Sequence, residues 1–172
     1  MREGLRKLLF WSVFVVAPLY ALDQWTKRIV HARMGIGEGF TVIPGFFDII
    51  HTRNTGAAFG ILRDLPAEYR LPFFAVMTAA ACALMIAVFW KSSDSSVFMA
   101  AVVSLVVAGA LGNLTDRMLF GEVVDFLSFH IGAYRWPTFN LADTWISLGM
   151  AGLVIQAFVM QPARRSPPTP PA

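Results

Sequence analysis

Long apolar runs, separated by short polar clusters, set the pattern of this chain. Four of them, at about residues 8–25, 71–90, 97–114 and 141–160, approach the roughly 20 mostly apolar residues that cross a hydrocarbon core. They predict four spanning helices. The first and third run out into "ALDQWTK" and "GNLTDR", so their last turns are expected at the interface or facing a protein-lined cavity. Only "KSSDSS" joins the second run to the third, which forces those helices antiparallel. Four crossings then put both termini on one side.

The connections on the opposite side are long. Residues 26–70 link the first two helices, far beyond the usual few residues, and long loops of this kind tend to carry function. Within them "FTVIPGFFDIIHTRN" flanks a Pro44-Gly45 turn with β-branched and aromatic residues, which predicts a short hairpin or small sheet. "RDLPAEYR" follows and reads as an amphipathic lid. Residues 115–140 separate the third helix from the fourth. The whole is expected to be one membrane-embedded domain over 1–161, with residues 162–172 a disordered, proline-rich cytoplasmic tail.

Composition agrees with a membrane class, at 56% hydrophobic and 15% charged. An apolar segment behind Arg2, Arg6 and Lys7 has the look of a signal peptide. Because apolar runs recur along the whole chain, a retained first helix is expected instead. Arg2, Arg6, Lys7, Lys91, Arg164 and Arg165 crowd the helix ends in short segments. Cations count most there, so both termini are expected in the cytoplasm and the long loops outside. The net charge of +3 is spread out and does not suggest nucleic acid. Cys82 lies in an apolar run and reads as lipid-facing or core filler.

Five polar clusters then fall on the outer side. They are Asp23 and Lys27 in "LDQWTK", Asn54 in "RNTGAAFG", Asn113, Asp116 and Arg117 in "GNLTDR", Asp125 in "VVDF", and Asn140 and Asp143 in "FNLAD". A carboxylate at bilayer depth costs about 2.5–3.5 kcal/mol on insertion scales and therefore marks a candidate functional site. Each cluster also has a structural explanation. Asp23 with Lys27, and Asn113 with Arg117, stand four residues apart and can pair on one helical face. Asp143 can cap the fourth helix. Asp125 is harder to explain so, because an unpaired carboxylate among β-branched and aromatic residues is penalised.

Two carboxylates at one water-accessible, low-dielectric site repel, so one keeps its proton while the other ionises. Such a pair hydrolyses peptides: the ionised member takes a proton from attacking water and the protonated member donates to the carbonyl oxygen. Asp143, near a positive helix start, is the expected ionised member. The sequence holds no G-x-S-x-G elbow and no H-E-x-x-H helix. His31, His51 and His130 lack ligand spacing, so neither metal nor cofactor is expected. Two other classes remain open: a small transporter using the acids as a proton relay, and an assembly factor in which they are structural.

The strings "DQWTK" (23–27), "NTGAAFG" (54–60), "GNLTDR" (112–117), "VVDF" (123–126) and "FNLAD" (139–143) resemble, in order, spacing and topological setting, the lipoprotein signal peptidases, also called signal peptidase II. The resemblance spans about residues 8–160. It implies an aspartic endopeptidase of the bacterial inner membrane that removes signal peptides from prolipoproteins, cutting just before a diacylglyceryl-modified cysteine. Matched residue by residue, it makes Asp125 and Asp143 the catalytic dyad. It places Asp23, Lys27, Asn54, Gly56, Asn113, Asp116, Arg117, Asn140 and Ala142 lining or bracing the site. The expected fold is an all-α, four-helix transmembrane bundle with a small periplasmic hairpin or sheet cradle and an amphipathic lid. The expected partners are lipid-modified prolipoproteins, membrane lipids and the cyclic peptide inhibitor globomycin, with the enzyme a monomer.

Overall fold

The computed structural model of the chain describes residues 6, 10–56, 66–91 and 97–159. The "KSSDSS" connection after Lys91, Ala57 and Ala58, the first part of "RDLPAEYR" and the proline-rich tail lie outside the described residues.

A π-helical stretch, Ser12–Val16, runs into helix α1 (Ala17–Arg33), and the chain continues through strands β1 (Gly39–Ile43) and β2 (Phe47–Asn54). Helices α2 (Ala67–Lys91) and α3 (Val97–Phe120) follow, then strands β3 (Val123–Ile131) and β4 (Tyr134–Arg135) and helix α4 (Leu141–Val159). The wide π turn stands just ahead of Pro18, whose ring has no N–H and crowds the carbonyl four residues back.

Among the described residues three helices, Ala67–Trp90, Val97–Phe120 and Leu141–Phe158, are long and apolar enough to cross a membrane. α1 falls short of that measure, being 17 residues long and carrying Asp23, Lys27, Arg28 and Arg33; its Asp23, Gln24 and Lys27 are buried. Many apolar residues of α2 and α4 point outward, with Val76, Leu84 and Phe158 all exposed. The largest fully buried side chains include Lys27, Asn140, Asp23 and Asp116. An outside greasier than the inside suits lipid as the solvent.

The helices outrun their predicted ends at two places that matter. α1 continues past residue 25 to Arg33, and α3 past 114 to Phe120. The apolar run stops there, but the backbone keeps its helical hydrogen bonds because Lys27, Val30 and Asp116 are buried against protein. α3 ends on Gly121, whose φ of 74° only glycine adopts without strain, its N–H closing on Arg117 O at 3.0 Å.

α3 is the hub, packed against α1, α2, α4 and β3. Its contact with α4 is close because glycines line it: a Cβ on Gly109 would collide with Ala142 O, and one on Gly149 would come within 2.5 Å of Val106. Two apolar clusters bracket the polar region. One joins α2 to α3 through Met85, Phe89, Met99, Val102, Val103 and Val106. The other, of Val30, Val124 and Phe126, lies beneath the sheet.

The sheet is larger than the predicted hairpin. Its order is β1-β2-β3-β4, antiparallel throughout, and β3 comes from the second long loop. The β1–β2 turn passes through Gly45 at φ 75°, as "PGF" suggests. An irregularity between Ile49 and Thr52 shifts the β2–β3 register, so that Thr52 faces Asp125 and Asn54 faces Val123.

Candidate active site

β3 brings Asp125 to the end of α3, and a short backbone link brings α4 to β3. Phe139 O accepts from Phe126 N at 3.0 Å and Leu127 N at 2.8 Å, while Phe139 N donates to Leu127 O at 3.1 Å. The next residue is therefore held against Asp125. That residue is Asn140, fully buried, and it stands immediately before α4.

Asn140 and Asp143 form a reciprocal cap. Asp143 N donates to Asn140 Oδ1 at 2.9 Å, and Asn140 N donates to Asp143 Oδ2 at 3.3 Å. The same Asn140 side chain reaches the other acid, its Nδ2 lying 2.7 Å from Asp125 Oδ1. One amide thus touches both aspartates. Asp143 Oδ1 also accepts from Asn113 Nδ2 at 2.8 Å, and Asp125 Oδ2 from Asn54 Nδ2 at 3.2 Å. Asn54 is fixed in turn by its Oδ1, which takes the Gly56 N–H at 3.0 Å.

The two acids differ in surroundings. Asp125 is 2% exposed, whereas Asp143 is only half-buried. Burial first, and the charge of Asp143 second, push the Asp125 carboxyl up to about 7, against smaller opposing effects of Asn54, Asn140 and Lys27. Asp143 sits in the first turn of α4, where the helix dipole favours negative charge.

Beneath this pair lies an ionic cluster tying α1 to α3, α4 and β3. Lys27 Nζ, 2% exposed, meets Asp23 Oδ2 at 2.9 Å, Asp116 Oδ2 at 3.2 Å and Asn113 Oδ1 at 2.9 Å. Asp23 Oδ1 accepts the Ala142 N–H at 2.8 Å, a second cap on α4, and Asp116 Oδ2 accepts the Val124 N–H at 3.0 Å at the start of the buried strand. A buried ion pair stabilises only when its remaining lone pairs are also bonded, and here both carboxylates have backbone N–H partners. Arg117 closes the other side. It donates to Gly56 O at 2.7 Å and Asn113 O at 3.2 Å, with its guanidinium 3.8 Å from the centre of the Phe74 ring.

All eleven sequence-predicted site residues therefore meet in one connected network. The predicted pair of Asp23 with Lys27 forms as expected. That of Asn113 with Arg117 takes another form, since Arg117 donates to the Asn113 carbonyl and leaves the amide side chain free for Lys27, Asn140 and Asp143. Asp143 is the predicted cap and stands beside the second acid as well.

Two participants escape the sequence reading. Gln24, 5% exposed, donates to Asp116 Oδ1 at 2.9 Å, Gly112 O at 3.1 Å and Asp23 Oδ2 at 3.3 Å. A polar side chain beside Asp23 in an apolar run was the signal for it. Gly112 leaves no room for a side chain, since a Cβ there would stand 2.5 Å from Asp23 Oδ2. A groove of about 390 Å³ crosses the sheet between Phe40, Asp48, Ser128 and Arg135. It shares β3 with the site but holds neither acid.

Comparisons with known proteins identify the family. The family described as "Signal peptidase (SPase) II" matches residues 15–159. The lipoprotein signal peptidase of Syntrophus aciditrophicus (strain SB) is 42% identical over 157 residues, covering 91% of this chain and 98% of that protein. The lipoprotein signal peptidase of Solibacter usitatus (strain Ellin6076) is 40% identical over 161 residues, covering 92% and 96%. A solved structure described as "Bacterial membrane enzyme structure by the in meso method at 2.3 A resolution" superposes with a TM-score of 0.76 at 35% identity, over 90% of this chain and 94% of that one. The chain belongs to the signal peptidase II family of peptidases.

Proposed function

We propose that this peptidase is an aspartic endopeptidase that removes the signal peptide from diacylglyceryl-modified prolipoproteins, cutting just before the lipidated cysteine. Its support is the Asn140 side chain, which bonds the Asp125 carboxyl at 2.7 Å and the Asp143 backbone N–H at 2.9 Å and so ties together two acids of unlike surroundings.

In the proposed reaction Asp143 is ionised and Asp125 protonated. Asp143 takes a proton from a water molecule, whose oxygen attacks the scissile carbonyl carbon. Asp125 gives its proton to the carbonyl oxygen, producing a tetrahedral diol. On collapse the C–N bond breaks, Asp143 hands its proton to the leaving amine of the cysteine, and Asp125 recovers its own from the diol hydroxyl. Both acids end as they began.

α1, with the turns before it, serves as a fourth crossing, its polar residues turned inward onto Asp116 and Asn113 and the preceding Phe10, Val13 and Phe14 lipid-facing, with both termini cytoplasmic and the acids near the outer face of the inner membrane. A lipidated substrate then arrives sideways, acyl chains in the bilayer, with its peptide lying along the outer sheet. The "RDLPAEYR" segment limits water there. The enzyme acts as a monomer without a cofactor, and globomycin competes for the peptide's place.

The test uses cells that rely on this chain for lipoprotein processing. Globomycin is expected to make uncut, lipidated prolipoprotein accumulate, and a precursor with its cysteine replaced by serine should stay uncut without the drug. Processing that ignores both would contradict the assignment.

A further inference from the structure

Asn113 is shared by three groups of unlike demand. Its Oδ1 receives Lys27 Nζ at 2.9 Å and Asn140 Nδ2 at 3.1 Å, and its Nδ2 faces Asp143 Oδ1 at 2.8 Å. An amide can turn end for end at little internal cost, exchanging donor for acceptor. An ammonium cannot: it has three donors and no acceptor. With the amide reversed, an NH2 would face the buried Lys27 ammonium and a carbonyl oxygen would face the Asp143 carboxylate. Lys27 is itself held by Asp23 and Asp116, with no solvent to turn towards. The lysine therefore selects one orientation of Asn113. The chosen orientation presents a donor to Asp143 and an acceptor to Asn140, and it leaves Asn140 Nδ2 pointing at Asp125.

We infer that Lys27, which touches neither aspartate of the proposed dyad, is a positioning residue that acts through the Asn113 amide to supply Asp143 with its side-chain hydrogen-bond donor. This rests on the proposed function, in which Asp143 is the base. In the proposed reaction Asp143 takes the proton from water, and the Asn113 donor holds one of its carboxylate oxygens in place for that step. The other charged groups of the neighbourhood are Asp125 on β3, Arg117 and Asp116 on α3, and Asp23 on α1.

The test is the pH profile of kcat/KM, whose acid limb reports the base of the free enzyme. Lys27→Met is combined with Asp23→Asn, which removes one charge of each sign and leaves a side-chain oxygen for the Ala142 N–H. The acid limb of this pair is expected to move up by about one pH unit, the scale of a lost donor to a carboxylate. In an Asn113→Ala background the same pair should move the limb no further. A limb that stays in place, or a shift that persists without Asn113, overturns the inference. The melting temperature in detergent is recorded for each variant. Should the Lys27 pair fail to fold, Asn113→Ala alone decides: an unmoved limb overturns the inference and a raised one supports it. Asp143→Asn separates the two levels. If it cleaves at the wild-type rate, the dyad itself has failed; if it is inactive while the limb stays fixed in the other variants, only the role of Lys27 falls.

Discussion

At the scale of single residues, the proposed chemistry rests on the contrast between Asp125 and Asp143. Asp125 lies in β3 with Val123, Val124 and Phe126 buried around it, and two amides reach it without full compensation for lost water. Its carboxyl, pushed up to about 7 by burial and then by the Asp143 charge, is a general acid only while protonated. The rate should therefore fall as pH rises through about 7, approaching tenfold per unit in kcat/KM beyond it. Stability carries the same sign. A carboxyl whose folded value is raised from 3.8 to about 7 binds its proton more tightly when folded, so its contribution is largest below 3.8 and declines as pH climbs to about 7. The slope is up to about 1.4 kcal/mol per pH unit, and Asp125→Asn should flatten that part of the melting curve against pH. Gln24 belongs to this scale too. Replacing it by Leu removes donors from Asp116, Asp23 and Gly112 O, an expected loss of about 1–3 kcal/mol in unfolding experiments.

At the scale of elements, the site depends on three pieces that do not adjoin in the chain. α3 passes close enough to α1 and α4 only because Gly109 and Gly112 lack side chains. Gly112→Ala would set a methyl 2.5 Å from Asp23 Oδ2, and overpacking of this kind costs about 1–3 kcal/mol. A lowered melting temperature, with the remaining folded enzyme losing activity as the Asp23 cap on Ala142 shifts, is the expected result. The apolar runs made α2, α3 and α4 legible in the sequence, because a bilayer demands their length and composition. The Pro44-Gly45 turn announced β1 and β2. Strand β3 was harder to read: "VVDFLSFHI" is buried on both sides of the strand, and such a run lacks the alternation that marks a half-exposed one. Its partner contact, Leu127 with Phe139, joins residues with no local signal of pairing. The ends of α1 and α3 were missed for a related reason, since polarity marks the end of an apolar run but not of a helix whose polar residues are buried against protein. The members of the site were legible one by one. Their joining through Asn140 and Asn113 was not, because an amide's partners are set by folding.

At the scale of the whole molecule, the polar interior and apolar exterior suit a bundle in lipid, and the proposed function puts its site at one face of the membrane. The proposed orientation, argued from the cationic helix ends, can be measured directly. With Cys82 replaced by Ser, a cysteine at Glu38, in the turn before β1, should react with an impermeant maleimide in cells whose outer membrane is opened. One at Ser166 in the tail should react only after the inner membrane is broken. The reverse labelling would invert the topology. The central claim is that Asp125 and Asp143 together cleave the peptide bond ahead of a lipidated cysteine. Its most direct test is mass-spectrometric analysis of a synthetic diacylglyceryl prolipopeptide incubated with purified wild type, Asp125→Asn or Asp143→Asn, each checked for an unchanged melting transition. The wild type should release the signal peptide with a single cut before the cysteine, and each variant should be slower by about 10²–10⁴-fold or more. A folded variant of either aspartate that cuts at the wild-type rate would contradict the account.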